Sequence, residues 1–142
     1  TPKPDISTVA ALRQTLLNAR SVAYSASASG TYLSTELFQR LGVADAMKDK
    51  AKKIMSERVG AVVARGDAEL GFQQVSELLP FTELDFLGAL PDEVQQKVFC
   101  SAGILREAPN PEGARRFIRF LASPAAVGVI RSTGLEPATK AP

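Results

Sequence analysis

Apolar residues recur three and four positions apart in some windows of this chain and cluster in short runs in others, and the two patterns alternate. Val9, Leu12 and Leu16 share one face of a helix that Ser7 can cap and that runs through Asn18. Residues 21–25 are apolar at their centre and bounded by small polar residues, which predicts a short strand. Leu33, Leu37, Phe38 and Leu41 then form the stripe of a helix over residues 31–41, and Gly42 stops it. Residues 43–54 read as a further helix, and Ser56 caps a short one through Ala64, with Val59, Val62 and Val63 inward and Gly66 at its close. Residues 70–74, 84–87 and 97–105 read as strands. Asn110-Pro111 is an N-cap followed by proline at the first helical position, opening a helix that carries Phe117, Ile118 and Leu121 and ends near Ala122. Ser123-Pro124 repeats that start signal for a last helix, which Gly134 ends, while Pro2 and Pro4 keep the opening residues irregular. Strands alternating with helices predict an α/β fold with a mainly parallel sheet flanked by helices.

Composition narrows the chemistry more than the class. The 17 Lys and Arg residues against 15 Asp and Glu leave a net charge of +2. That field is too weak for a nucleic-acid partner, so Lys48, Lys50, Lys52 and Lys53 read as a solvated face balanced by Asp45 and Asp49. No apolar run approaches the roughly 20 residues of a membrane span. Histidine is absent, which excludes Ser-His-Asp and Cys-His catalysis and His-ligated metals within this chain. Cys100 alone can form neither an internal disulfide nor a thiolate cage, and in an apolar strand without a neighbouring base it reads as a buried, inert thiol. Asp67, Glu69, Glu77, Glu83, Asp85, Asp92 and Glu93 are scattered over turns with no spacing that pairs them. The expectation is a binding protein without cofactor or metal, not an enzyme. Residues 1–4 resemble no secretory leader, which leaves the compartment open.

Two places can hold a ligand. Ser27, Ser29, Gly30 and Thr31 join a strand to a helix start, where free N–H groups and hydroxyls suit an anion; a plain small-residue turn with Ser29 as helix cap accounts for the same residues. Gln73 and Gln74 lie where the strand over 70–74 empties from the sheet. Their amides can fix a polar ligand or be solvated on an edge strand.

The order of several segments resembles a known family. Residues 23–31 (AYSASASGT), a helix ending Arg40-Leu41-Gly42, residues 63–74 (VARGDAELGFQQ) and the ending with Ser123-Pro124-Ala125-Ala126 and Gly134-Leu135-Glu136-Pro137 are similar to the molybdate-binding-protein-like branch of type II periplasmic solute-binding proteins. The resemblance implies a three-layer α/β lobe over residues 1–91. Residues 92–142 would form a return strand and C-terminal helices that pack on an N-terminal lobe missing from the chain. It also implies a substrate-binding component of an ABC-type uptake system in the periplasm. Such a component holds a small oxyanion such as molybdate, or another polar solute, without turnover, and hands it to a membrane permease. A ligand-sensing domain of the same fold is the alternative. Carried onto this sequence, the ligand's partners are Ser29, Gly30 and Gln73. Without a first lobe, Phe117, Ile118, Phe120, Leu121, Val127 and Ile130 lack cover, and a homodimer is expected.

Overall fold

Three short strands supply the frame, and the first and third end where small or polar residues begin. A computed structural model describes residues 3–138, so Thr1 and Pro2 of the opening segment and residues 139–142 of the C-terminal segment lie outside the described residues. β1 (Val22–Ser25) is the central strand, with β2 (Ala51–Ile54) on one side and β3 (Leu70–Phe72) on the other. Both pairings are parallel, Ser25 lying opposite Ile54 and Tyr24 opposite Phe72.

Helices cover both faces. Val22 and Leu70 sit in a core with Leu12 and Leu16 of α1 (Val9–Asn18) and with Tyr32, Leu33, Leu37 and Phe38 of α2 (Ala28–Arg40). Tyr24 joins this layer, its ring meeting Phe38 edge-on at 6.2 Å. Ala23 points the other way into a smaller core with Val59 and Val62 of α4 (Val59–Ala64), as the two-residue period of a strand requires. Gly71 is part of that fit, because a side chain there would run into Val59 and Val63. The result is a small parallel sheet flanked by helices, as expected from the sequence.

α2 is continuous but changes pitch, from α-helix over Ala28–Tyr32 to a π-helical turn over Leu33–Leu37 and back to α-helix over Phe38–Arg40. Gly42, at φ +64°, ends it. α3 (Ala44–Met47) and α5 (Val75–Leu78) are single turns, and a 3₁₀ turn covers Asp92–Val94.

Several expectations need correction. α1 is capped by Thr8, whose hydroxyl accepts the Ala11 N–H at 3.1 Å, and not by Ser7, which instead donates its own N–H to Asp5. The helix expected over 43–54 is one turn followed by β2. The β1 edge offers ladder partners there, with Val22 N–H bonding the Lys50 carbonyl at 2.8 Å. Lys50 folds back to donate to the carbonyls of Leu17 and Ala19 at the end of α1, both at 2.8 Å. Arg58, not Ser56, is the residue before α4. Residues 84–87 and 97–105 form no strand, since no sheet edge among the described residues pairs with them. Cys100 is accordingly exposed, not buried.

The chain divides into two compact units, Thr1–Val98 and Phe99–Pro142. In the second, α6 (Pro111–Leu121) is capped by Asn110, whose side-chain oxygen accepts the Gly113 N–H at 2.9 Å. A 3₁₀ turn at Pro124–Ala126 leads into α7 (Val127–Ser132); Ser123 stands before it but does not cap it, its hydroxyl donating back to the Phe120 carbonyl at 2.6 Å. Phe117, Phe120 and Val129 are exposed on these helices.

Candidate functional site

The carboxyl ends of the three strands gather the candidate residues. Ser25 ends β1 and is 5% exposed. Its hydroxyl lies 2.6 Å from that of Ser27 and 3.4 Å from that of Ser29, and the latter two are 3.0 Å apart. Three serine hydroxyls therefore converge where the central strand turns into α2. Each can donate or accept, so the cluster can turn hydroxyl protons towards an anion's oxygens without titrating any group.

α2 begins at Ala28, three residues earlier than the hydrophobic stripe suggests, with Ser27 as N-cap residue. Ser29, Gly30 and Thr31 thus occupy its first turn. They do not play equal parts. The Thr31 N–H is already bonded to the Ser27 carbonyl at 2.9 Å, and the Thr31 side chain is exposed. Gly30 is buried, and a Cβ there would be driven into the backbone carbonyl of Ser25. Its role is to let the helix close down on the strand end, which is what brings Ser29 within reach of Ser25. Ser27 and Ser29 keep their predicted place, and Ser25 joins them. Its position as the last residue of the central strand was the available signal.

The glutamines divide the same way. Gln73 follows β3 directly, and its Oε1 accepts the Val59 N–H at 2.8 Å, tying the start of α4 to the end of β3. Gln74 contributes its main chain, its carbonyl accepting N–H groups from Glu77 and Leu78 in α5. Arg58, immediately before Val59, pairs through Nε with Glu77 of α5 at 3.2 Å. This ion pair at the rim was not visible in the sequence, because nothing local links residues nineteen positions apart.

Other features lie elsewhere. A shallow cavity of about 400 Å³ lined by Arg20, Ser21, Gly66, Ala68 and Glu69 opens at the amino ends of β1 and β3, away from the serines. There the Glu69 carboxylate accepts the Arg20 backbone N–H at 2.8 Å, which holds it below the usual glutamate range. Arg65 bridges Glu57 through both terminal nitrogens at 2.7 Å and Asp67 through Nε at 2.5 Å. Those bonds hold Glu57 low and Arg65 still more firmly protonated.

A parallel α/β lobe with polar groups collected at the carboxyl ends of its strands is the architecture of a ligand-binding lobe. The sequence profile of the bacterial extracellular solute-binding proteins matches residues 1–136, and the chain belongs to that family. It is also 47% identical over 141 residues to a Pseudomonas protein named aconitate isomerase. The match covers 99% of this chain and 54% of that relative, so the chain spans about half the relative's length. No solved structure matches the chain. The relative corrects one expectation: its name is that of an enzyme, and the reading of this chain as a non-enzyme falls with it. Scattered carboxylates and missing histidine exclude particular mechanisms, not catalysis as such.

Proposed function

We propose that this protein binds a small polycarboxylate at the carboxyl end of β1 and takes part in isomerising an unsaturated tricarboxylate of the aconitate kind. The observation that carries the reading is the convergence of Ser25, Ser27 and Ser29 in a chain so similar to an enzyme named for that substrate. A carboxylate oxygen accepts hydroxyl hydrogen bonds well, and bonds to an ionised acceptor are roughly twice as strong as neutral ones. Shifting the double bond of such a substrate removes one proton from carbon and returns one to the far end of the allylic unit. Nothing is oxidised and no group leaves. Histidine being absent, a carboxylate, a hydroxyl, a lysine amine or the Cys100 thiol has to carry the proton within this chain.

A second reading is transport. Membership of the extracellular solute-binding family supports a protein that holds a solute outside the cytoplasm, and in this reading it sits in the periplasm and presents that solute to an ABC-type permease. One experiment separates the readings. The protein is titrated calorimetrically with trans-aconitate, citrate and molybdate, and a trans-aconitate solution is followed by proton NMR for the cis isomer. Carboxylate binding with turnover supports the isomerase, and binding without turnover supports transport. Preference for molybdate would restore the oxyanion specificity first inferred from the resemblance.

A further inference from the structure

We propose that Arg58 is a specificity-determining residue of this site: its guanidinium exchanges Glu77 for a second carboxylate of the ligand. The inference rests on the polycarboxylate reading above. The serine cluster is neutral, and hydroxyls alone distinguish poorly between one carboxylate and several. A molecule with three carboxylates calls for a cation, and a guanidinium fork matches a carboxylate in two parallel hydrogen bonds.

The topology puts Arg58 at the right end and face of the sheet. β2 runs parallel to β1, and the Ala26 N–H bonds the Ile54 carbonyl at 3.1 Å, so residues 55–58 leave the sheet where Ser25 does. Arg58 leads into α4, which packs on Ala23, and Ser25 follows Ala23 by one strand period on the same face. Gln73 clamps the next residue, Val59, to the end of β3. The backbone of Arg58 is thus held between two strand ends while its side chain is more than half exposed.

Its present pairing is loose. The two charged side chains are 56% and 40% exposed and meet at 3.2 Å from Nε, and the Arg58 terminal nitrogens make no hydrogen bond among the described residues. Arg65, by contrast, has both terminal nitrogens and Nε engaged. An exposed ion pair of this kind is weak enough for a ligand carboxylate to displace. Glu77 would then be a resting counter-ion that competes with the ligand.

The test compares tricarballylate, an unreactive tricarboxylate, with butyrate by calorimetry on the wild type and on Arg58→Lys, Arg58→Ala, Glu77→Gln and Ser29→Ala. The expected result is a tenfold or greater loss of tricarballylate affinity in both Arg58 variants with butyrate binding unchanged, and a several-fold gain in Glu77→Gln. That gain cannot arise from misfolding. If Arg58→Ala leaves the ratio of the two affinities unchanged while Ser29→Ala weakens both, Arg58 has no such role and the polycarboxylate site stands. Unchanged affinity in Glu77→Gln overturns the exchange. If the wild type binds neither compound, the site reading fails and takes this inference with it.

Discussion

The Tyr32 hydroxyl donates a 2.6 Å hydrogen bond to the carbonyl of Val94, joining residues 62 positions apart inside the core. Arg40 completes the contact, one terminal nitrogen on the Tyr32 oxygen at 3.0 Å and the other on the Glu93 carbonyl at 2.9 Å. The π-helical turn Leu33–Leu37 lies between these two anchors. Tightening it to ordinary α-helix would rotate one anchor relative to the other. Tyr32→Phe therefore leaves a buried carbonyl short of its donor and should cost about 1–3 kcal/mol, read as a lower urea midpoint with an unchanged slope.

Gly30 is the position where the serine cluster and the fold depend on the same atom. Gly30→Ala must push α2 off the end of β1, and overpacking against backbone should cost about 3 kcal/mol or more. Thr31→Ala, one residue on and exposed, should stay within about 0.5 kcal/mol. Thermal melts of the two variants side by side check the contrast. Equal melting temperatures would mean that the helix start is not seated on Ser25.

Gln73 and Gln74 give a paired test of which glutamine organises the strand ends. Gln73→Ala removes the acceptor for the Val59 N–H at the start of α4, a loss of the size of a helix cap, about 1 kcal/mol. Gln74→Ala keeps the main-chain carbonyl that α5 uses and should change little. Chemical denaturation resolves a difference of that size.

Acid should destabilise the protein through Glu57 and Glu69. Both carboxylates are held below the usual range in the fold, Glu57 chiefly by Arg65 and Glu69 chiefly by the Arg20 backbone N–H. A depressed folded-state pKa means that the unfolded chain binds protons first. The stability these groups lend is therefore complete at neutral pH and is lost as pH falls through and below the ordinary glutamate range. Glu69→Gln should flatten the fall in melting temperature across that range. An identical pH profile would show that the Arg20 contact is absent in solution.

Self-association is expected on the apolar side of α6 and α7, where Phe117 is 60% and Val129 68% exposed. Light scattering should report a species larger than one chain, and Phe117→Ser with Phe120→Ser should shift it towards the monomer. A monomer in the unmodified protein would dispose of the homodimer.

What the sequence determined by itself lies in short-range chemistry. Asn110-Pro111 starts a helix because cap and proline act within one turn, Pro124 opens a 3₁₀ turn at its own first position, and Gly42 stops α2 because only local backbone freedom is needed. The β1 strand with its small polar exit was equally legible, which is why Ser27 and Ser29 could be picked out. Tertiary structure decided whatever needs a distant partner. Ala51–Ile54 is a strand because β1 lies beside it, and residues 97–105 are none because no strand among the described residues pairs with them. Ser25 meets Ser27 and Ser29 only once α2 seats on β1, the Arg58–Glu77 pair joins two separate elements, and the Gln73 oxygen finds the Val59 N–H at 2.8 Å only because β3 ends beside the start of α4. Caps and turns are fixed by atoms a few bonds apart along the chain, whereas strand pairing and site assembly depend on groups that meet only once the chain has folded.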